Sequence, residues 1–77
     1  MRLRFFGRLR DAIGGELEVE VPGDVTDSDA LRSWLGREHP ALLDPSVKMA
    51  LDDRILAAPT LIEGAREIAF LPPVSGG

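Results

Sequence analysis

A chain of 77 residues, 44% of them hydrophobic, is long enough for one small core and too apolar to stay disordered. With no cysteine it is neither a disulfide scaffold nor a thiolate metal site, and a net charge of −4 argues against nucleic acid as the main partner. No apolar run approaches membrane-spanning length and the N-terminus lacks a signal-peptide core, so the expected setting is soluble and cytoplasmic, away from membranes.

Residues 1–6 alternate as a strand, with Met1, Leu3 and Phe5 on one face and Arg2, Arg4 and Phe6 on the other. Residues 8–13 suit one short helical turn, stopped by Gly14 and Gly15. Residues 16–21 give the cleanest alternation, with Leu17, Val19 and Val21 inward and Glu16, Glu18 and Glu20 outward. Antiparallel pairing with the first strand would set Arg2 and Arg4 opposite Glu18 and Glu20, in pairs worth about 0.2–1 kcal/mol each. Such pairing accounts for the arginines better than a basic binding patch does.

Pro22-Gly23 marks a turn, and Thr26 or Asp27 caps a helix predicted to run to about Glu38, before Pro40. Ala30, Leu31, Trp34 and Leu35 form its apolar stripe, and Gly36 weakens it by about 1 kcal/mol relative to alanine. His39 has no second ligand or nucleophile to work with and reads as a favourable charge near the helix's negative end. Leu42 and Leu43 are expected to anchor the return to the sheet, Asp44-Pro45 starts a turn, and Val47, Met49 and Leu51 point inward along a third strand. Asp52-Asp53 turns the chain into a short edge strand, Arg54-Ile55-Leu56, and residues 59–65 form a loop.

A last strand over Ile68-Ala69-Phe70-Leu71 completes an α+β order: a mixed sheet of four to five strands with one main helix across one face. Leu3, Phe5, Leu17, Val19, Leu31, Trp34, Leu35, Met49, Leu51, Ile68 and Phe70 are the expected core. Strand parity puts Phe6, Ala50, Ala69 and Leu71 on the face without a helix, a candidate docking patch for a partner.

Pro72 and Pro73 end that strand, since neither can donate to a ladder. The chain therefore divides into a domain over residues 1–71 and an arm over 72–77, made of Pro72, Pro73, Val74, Ser75, Gly76 and Gly77. Six residues reach at most about 20 Å. Gly76 and Gly77 lack a Cβ, so the tip can enter a channel that rejects side chains, and its distinctive group is the terminal carboxylate.

The run Phe70-Leu71-Pro72-Pro73-Val74-Ser75-Gly76-Gly77 closely resembles the end of the small subunits of molybdopterin synthase, ubiquitin-like sulfur carriers of the MoaD/ThiS family. Leu3-Arg4-Phe5-Phe6-Gly7-Arg8-Leu9-Arg10-Asp11-Ala12-Ile13-Gly14 resembles that family's opening strand and short helical turn. The resemblance implies a ubiquitin-like β-grasp fold and a carrier with no bound cofactor. A MoeB-like enzyme using ATP would adenylate Gly77, and sulfur would displace the adenylate to leave a thiocarboxylate. The MoaE-type large subunit, in a heterotetramer, would hold the catalytic pocket where cyclic pyranopterin monophosphate accepts the sulfur.

Without cysteine, no side-chain thiol can carry that sulfur, which leaves the terminal carboxylate. No residues have the pattern of a catalytic acid, base or metal site, and a turn explains Asp52-Asp53, so the expected role is a non-catalytic co-substrate subunit. Three alternatives stay open: a carrier for thiazole, cysteine or transfer-RNA thiolation, a ubiquitin-like protein modifier, and a binding module whose tail is idle. The single lysine, Lys48, leaves the modifier little scope for self-linked chains.

Overall fold

The computed structural model describes residues 1–73, so Val74, Ser75, Gly76 and Gly77 lie outside the described residues. In chain order the elements are β1 (Arg2–Phe5), α1 (Gly7–Ile13), β2 (Glu16–Glu18), α2 (Ser28–Gly36), a 3₁₀ turn (Pro40–Leu43), β3 (Lys48–Leu51), β4 (Arg54–Ile55) and β5 (Glu67–Leu71). The strands form one sheet ordered β2-β1-β5-β3-β4. β1 and β5 are parallel, and every other neighbouring pair is antiparallel. This is the ubiquitin-like β-grasp, with five strands and a second, short helix in α1.

Local chemistry explains where the elements stop. Gly14 ends α1 with a positive φ of 125°, and its N–H donates to the Arg10 carbonyl at 2.8 Å. Asp27, of the two expected caps, is the one used: its carboxylate accepts from the Ala30 N–H at 2.8 Å. α2 ends at Gly36, two residues before the expected Glu38, because the chain tightens there: the Arg37 N–H donates to the Trp34 carbonyl and the Glu38 N–H to the Leu35 carbonyl, three residues back. A Cβ on Gly36 would lie 2.4 Å from Leu43 Cδ2, so glycine lets that turn pack against the helix. Arg32 then ties the turn to α2 by donating to the carbonyls of Leu42 and Asp44.

Asp52 and Asp53 both have positive φ, 44° and 73°, as a two-residue hairpin between twisted strands requires. The Asp52 carboxylate also accepts from the N–H groups of Arg66 and Glu67, at 3.0 and 2.9 Å, so the hairpin fixes the start of β5. The adjacent acids are thus a turn and a strand cap.

Leu3, Phe5, Leu31, Leu35, Met49, Ile68 and Phe70 are buried between sheet and α2 as expected, while Leu17, Val19, Trp34 and Leu51 are half-buried at the margin. Leu9, Leu42, Val47 and Ile62 complete the core. Ile62 lies in the loop over residues 59–65, which is stitched to the start of α2: Ile62 N–H donates to the Thr26 carbonyl and Ser28 N–H to the Thr60 carbonyl.

Further expectations need correcting here. The second strand covers Glu16–Glu18, with Val19 still bonded to Met1, and does not extend to residue 21, because Met1 is the last partner β1 offers. The register Leu3↔Leu17 sets Arg2 opposite Glu18 and Arg4 opposite Glu16, two residues from the antiparallel register that would have used Glu18 and Glu20, and the Arg4 guanidinium reaches Glu67 at 3.7 Å. Leu43 is 51% exposed, so Leu42 alone anchors the return to the sheet.

Candidate functional site

β5 is the strand from which the arm departs, and it is held on both sides. Phe5 pairs with Phe70 across the parallel ladder and Lys48 pairs with Leu71 across the antiparallel one. The Phe5 and Phe70 rings stack with centroids 5.6 Å apart, and the Phe6 N–H donates to the Phe70 carbonyl at 3.3 Å. Pro72 follows at once, half-buried over Gly7. A Cβ on Gly7, whose φ is +56°, would lie 2.7 Å from Pro72 Cγ, so the bare glycine lets the base of the arm rest against the turn into α1. The arm therefore starts from the central strand with both of its neighbours locked.

The face of the sheet away from α2 carries the candidate patch. Phe6, Ala69 and Leu71 are half-buried there, with no covering element among the described residues. Ala50 is buried, 6% exposed, so it forms the floor of the patch and is not itself accessible, a correction to its expected place on the surface. Its ladder partner on β4 is Ile55, 64% exposed, which extends the apolar strip to the sheet edge and was missed in the sequence. Arg4 lies over the Phe6 ring at 5.0 Å, and Lys48 stands beside Leu71 in the ladder. The strip is thus apolar along its length and bordered by cations near the exit of the arm.

The remaining titratable groups do not converge on the arm. Among the described residues no group of His, Asp and Glu side chains is placed to hold a metal ion. His39 precedes the 3₁₀ turn, and its N–H donates to the Leu35 carbonyl. Asp44 has its carboxyl held below the ordinary 3.8 by hydrogen bonds from the Ser46 N–H and hydroxyl, with Arg8 and Arg32 adding to the effect. An open cleft of 770 Å³ between Met1, Val19, Val21, Val25 and Leu61 is at the end of the sheet where β1 begins. Because β1 and β5 are parallel, that end is opposite the arm. No helix among the described residues is long and apolar enough to cross a membrane.

β5 ends at Leu71, where Pro72 and Pro73 were expected to stop it, and of the expected arm Val74, Ser75, Gly76 and Gly77 lie outside the described residues. Residues 3–77 match the ThiS family, a match that runs through the glycine pair. The molybdopterin synthase sulfur carrier subunit of Haemophilus influenzae is 26% identical over 81 residues, covering 100% of this chain and 99% of that protein. The subunit of the same name from Escherichia coli is 27% identical over the same length and coverage. Among solved structures, SAMP1 from Haloferax volcanii superposes with a TM-score of 0.71 at 29% identity, covering 99% of this chain and 97% of that one.

Proposed function

The chain belongs to the ThiS family, and from that premise we propose that it is the sulfur-carrier subunit of a molybdopterin synthase. The observation that carries the reading is the arm: a proline pair leaving the central strand beside an apolar strip, with two terminal glycines inside the family match. The relatives whose names specify molybdopterin synthase span the whole chain, which supports that pathway over the other thiolation routes.

A carboxylate is a poor acyl donor, so the Gly77 carboxylate must first attack the α-phosphorus of ATP on a MoeB-like enzyme, releasing pyrophosphate. A sulfur nucleophile displaces AMP from the acyl adenylate and leaves a thiocarboxylate. In the pocket of a MoaE-type large subunit, that sulfur attacks a side-chain carbon of cyclic pyranopterin monophosphate, and a C–S bond forms as the C–O bond at that carbon breaks and its oxygen leaves. Water then cleaves the acyl–sulfur bond and regenerates the Gly77 carboxylate. One dithiolene needs two such transfers, so docking must orient the arm and still release it. The strip of Phe6, Ala69, Leu71 and Ile55 over Ala50 serves both partners in turn, within a heterotetramer of two carriers and two large subunits. The carrier contributes no acid or base to the chemistry. It contributes the carboxyl and the reach.

Deleting Gly77 tests this. The carboxylate retreats by roughly 3.3–3.6 Å, and a 1 Å misplacement can cost about 100-fold in rate. Intact mass should show no thiocarboxylate after incubation with the activating enzyme, ATP and a sulfur source, and single-turnover sulfur transfer should fall to background. The melting temperature should stay unchanged, since the deletion lies beyond every element. Normal charging and transfer by the truncated chain would leave the tail idle and the proposal wrong. Wild-type charging followed by amide-linked adducts, with no sulfur delivered to the pterin, would point to a protein modifier.

A further inference from the structure

We propose that the free edge of β2, with the groove between that edge and α2, is a docking site for an extended peptide strand whose residues alternate apolar and basic. The inference does not rest on the sulfur-carrier reading, because the β2 edge is at the far side of β1 from the arm-bearing strand.

The backbone specifies the strand. Met1 and Val19 exchange hydrogen bonds, with the Val19 N–H reaching the Met1 carbonyl at 3.0 Å and the Met1 amino group reaching the Val19 carbonyl at 3.1 Å. The Phe5 N–H reaches the Gly15 carbonyl at 3.0 Å. Odd-numbered residues of this segment therefore turn their backbone groups toward β1, and the N–H and C=O groups of Glu16 and Glu18 point out of the sheet. Outward donors and acceptors at a sheet edge are a template for one more strand.

The groove specifies one face of that strand. Leu17 and Val19 from β2, with Trp34, Arg37, Glu38 and His39 from the end of α2, line a cleft of 420 Å³. Leu17, Val19 and Trp34 are half-buried, so apolar surface is left along the groove. A strand paired antiparallel with β2 would place one set of its side chains beside Leu17 and Val19, against the Trp34 ring. Apolar residues suit that position.

The carboxylates specify the other face. Glu16 and Glu18 have side chains 60% and 75% exposed, and Glu20 continues the row. Among the described residues their ion pairs run to the β1 side: Arg2 at 3.7 Å from Glu16, and the Met1 amino group at 3.4 Å from Glu18. Residues directly opposite in a ladder interact, so basic side chains are favoured across from Glu16 and Glu18. The same charges oppose a second copy, since β2 against β2 would set glutamates against glutamates.

The test uses the full chain and the hexapeptide acetyl-Arg-Val-Arg-Val-Arg-Val-amide. Trp34, the only tryptophan, reports from the groove. Titration should shift its emission saturably and move the amide resonances of Glu16 and Glu18. In antiparallel pairing the arginine N–H groups face β2, so N-methylating the arginines should weaken binding about tenfold or more, whereas N-methylating the valines should spare it. Acetyl-Glu-Val-Glu-Val-Glu-Val-amide should not bind the wild type and should bind E16K/E18K, two exposed substitutions that leave the core intact. Binding indifferent to both methylation patterns would be simple attraction of a basic peptide to an acidic protein and would overturn the proposal. So would resonance shifts confined to Ile55, Ala69 and Leu71, or concentration-dependent dimers pairing through β2.

Discussion

Phe70 has no solvent exposure and stacks on Phe5, so its ring joins sheet and core near the end of β5. Phe70→Ala should cost about 3–5 kcal/mol. Small domains have only about 5–15 kcal/mol in all, so thermal or urea unfolding should show a large loss of stability. An unchanged transition would mean the ring is not packed as described. Asp44 makes a different kind of contribution. Its folded-state pKa lies below the unfolded value, so its stabilising hydrogen bonds from Ser46 are present above about 3.8 and are lost as pH falls through the lowered pKa. Ser46→Ala removes the hydroxyl bond but keeps the backbone one, so the Asp44 carboxyl should titrate at higher pH than in the wild type. A carboxyl-carbon NMR titration measures this directly, and an unmoved midpoint would deny the hydroxyl its part.

At the scale of elements, the sheet face opposite α2 carries the apolar strip proposed for docking, and β4 is part of it. Leu71→Arg should leave the melting temperature near wild type and weaken binding to the large subunit or the activating enzyme, read by calorimetry. Ile55→Arg should act in the same direction, because Ile55 shares that face through its pairing with Ala50. Normal affinities in both variants would remove the strip from the docking surface. The strip was largely legible in the sequence because alternation assigns faces once a strand is long enough. β4 is two residues long, too short for alternation to speak, and only the ladder partner reveals where Ile55 points. The error at Arg4 has a related cause. Register depends on the route of the chain through Gly14 and Gly15, and a shift of two residues keeps every side chain on its face while changing the ion pair.

For the molecule as a whole, element order and the faces of the long strands follow from periodicity, prolines and glycines. What the sequence withheld is what depends on distant contact. Ile62 sits in a stretch with no periodicity, and its burial comes from hydrogen bonds to the start of α2, 36 residues earlier at Thr26. Leu9 and Leu42 likewise owe their burial to where short helical turns land on the core. Asp52 was recognisable as a turn residue, but its second task, capping β5, joins residues 14 and 15 positions apart.

The central place of β5 also bears on how the protein is made. β5, at the middle of the sheet, is synthesised after every other strand of the sheet, and its partner β1 before them. A nascent chain still lacking residues 67–71 has β1 and β3 with an empty lane between them, so neither the core nor the docking strip can close. Pairing elements from the two ends is also a high-contact-order step, which comes late in folding. Translation that stalls before β5 would therefore yield an unfolded fragment open to proteases, instead of a folded carrier without its arm. Such a fragment would not compete with finished carriers for the partners they share.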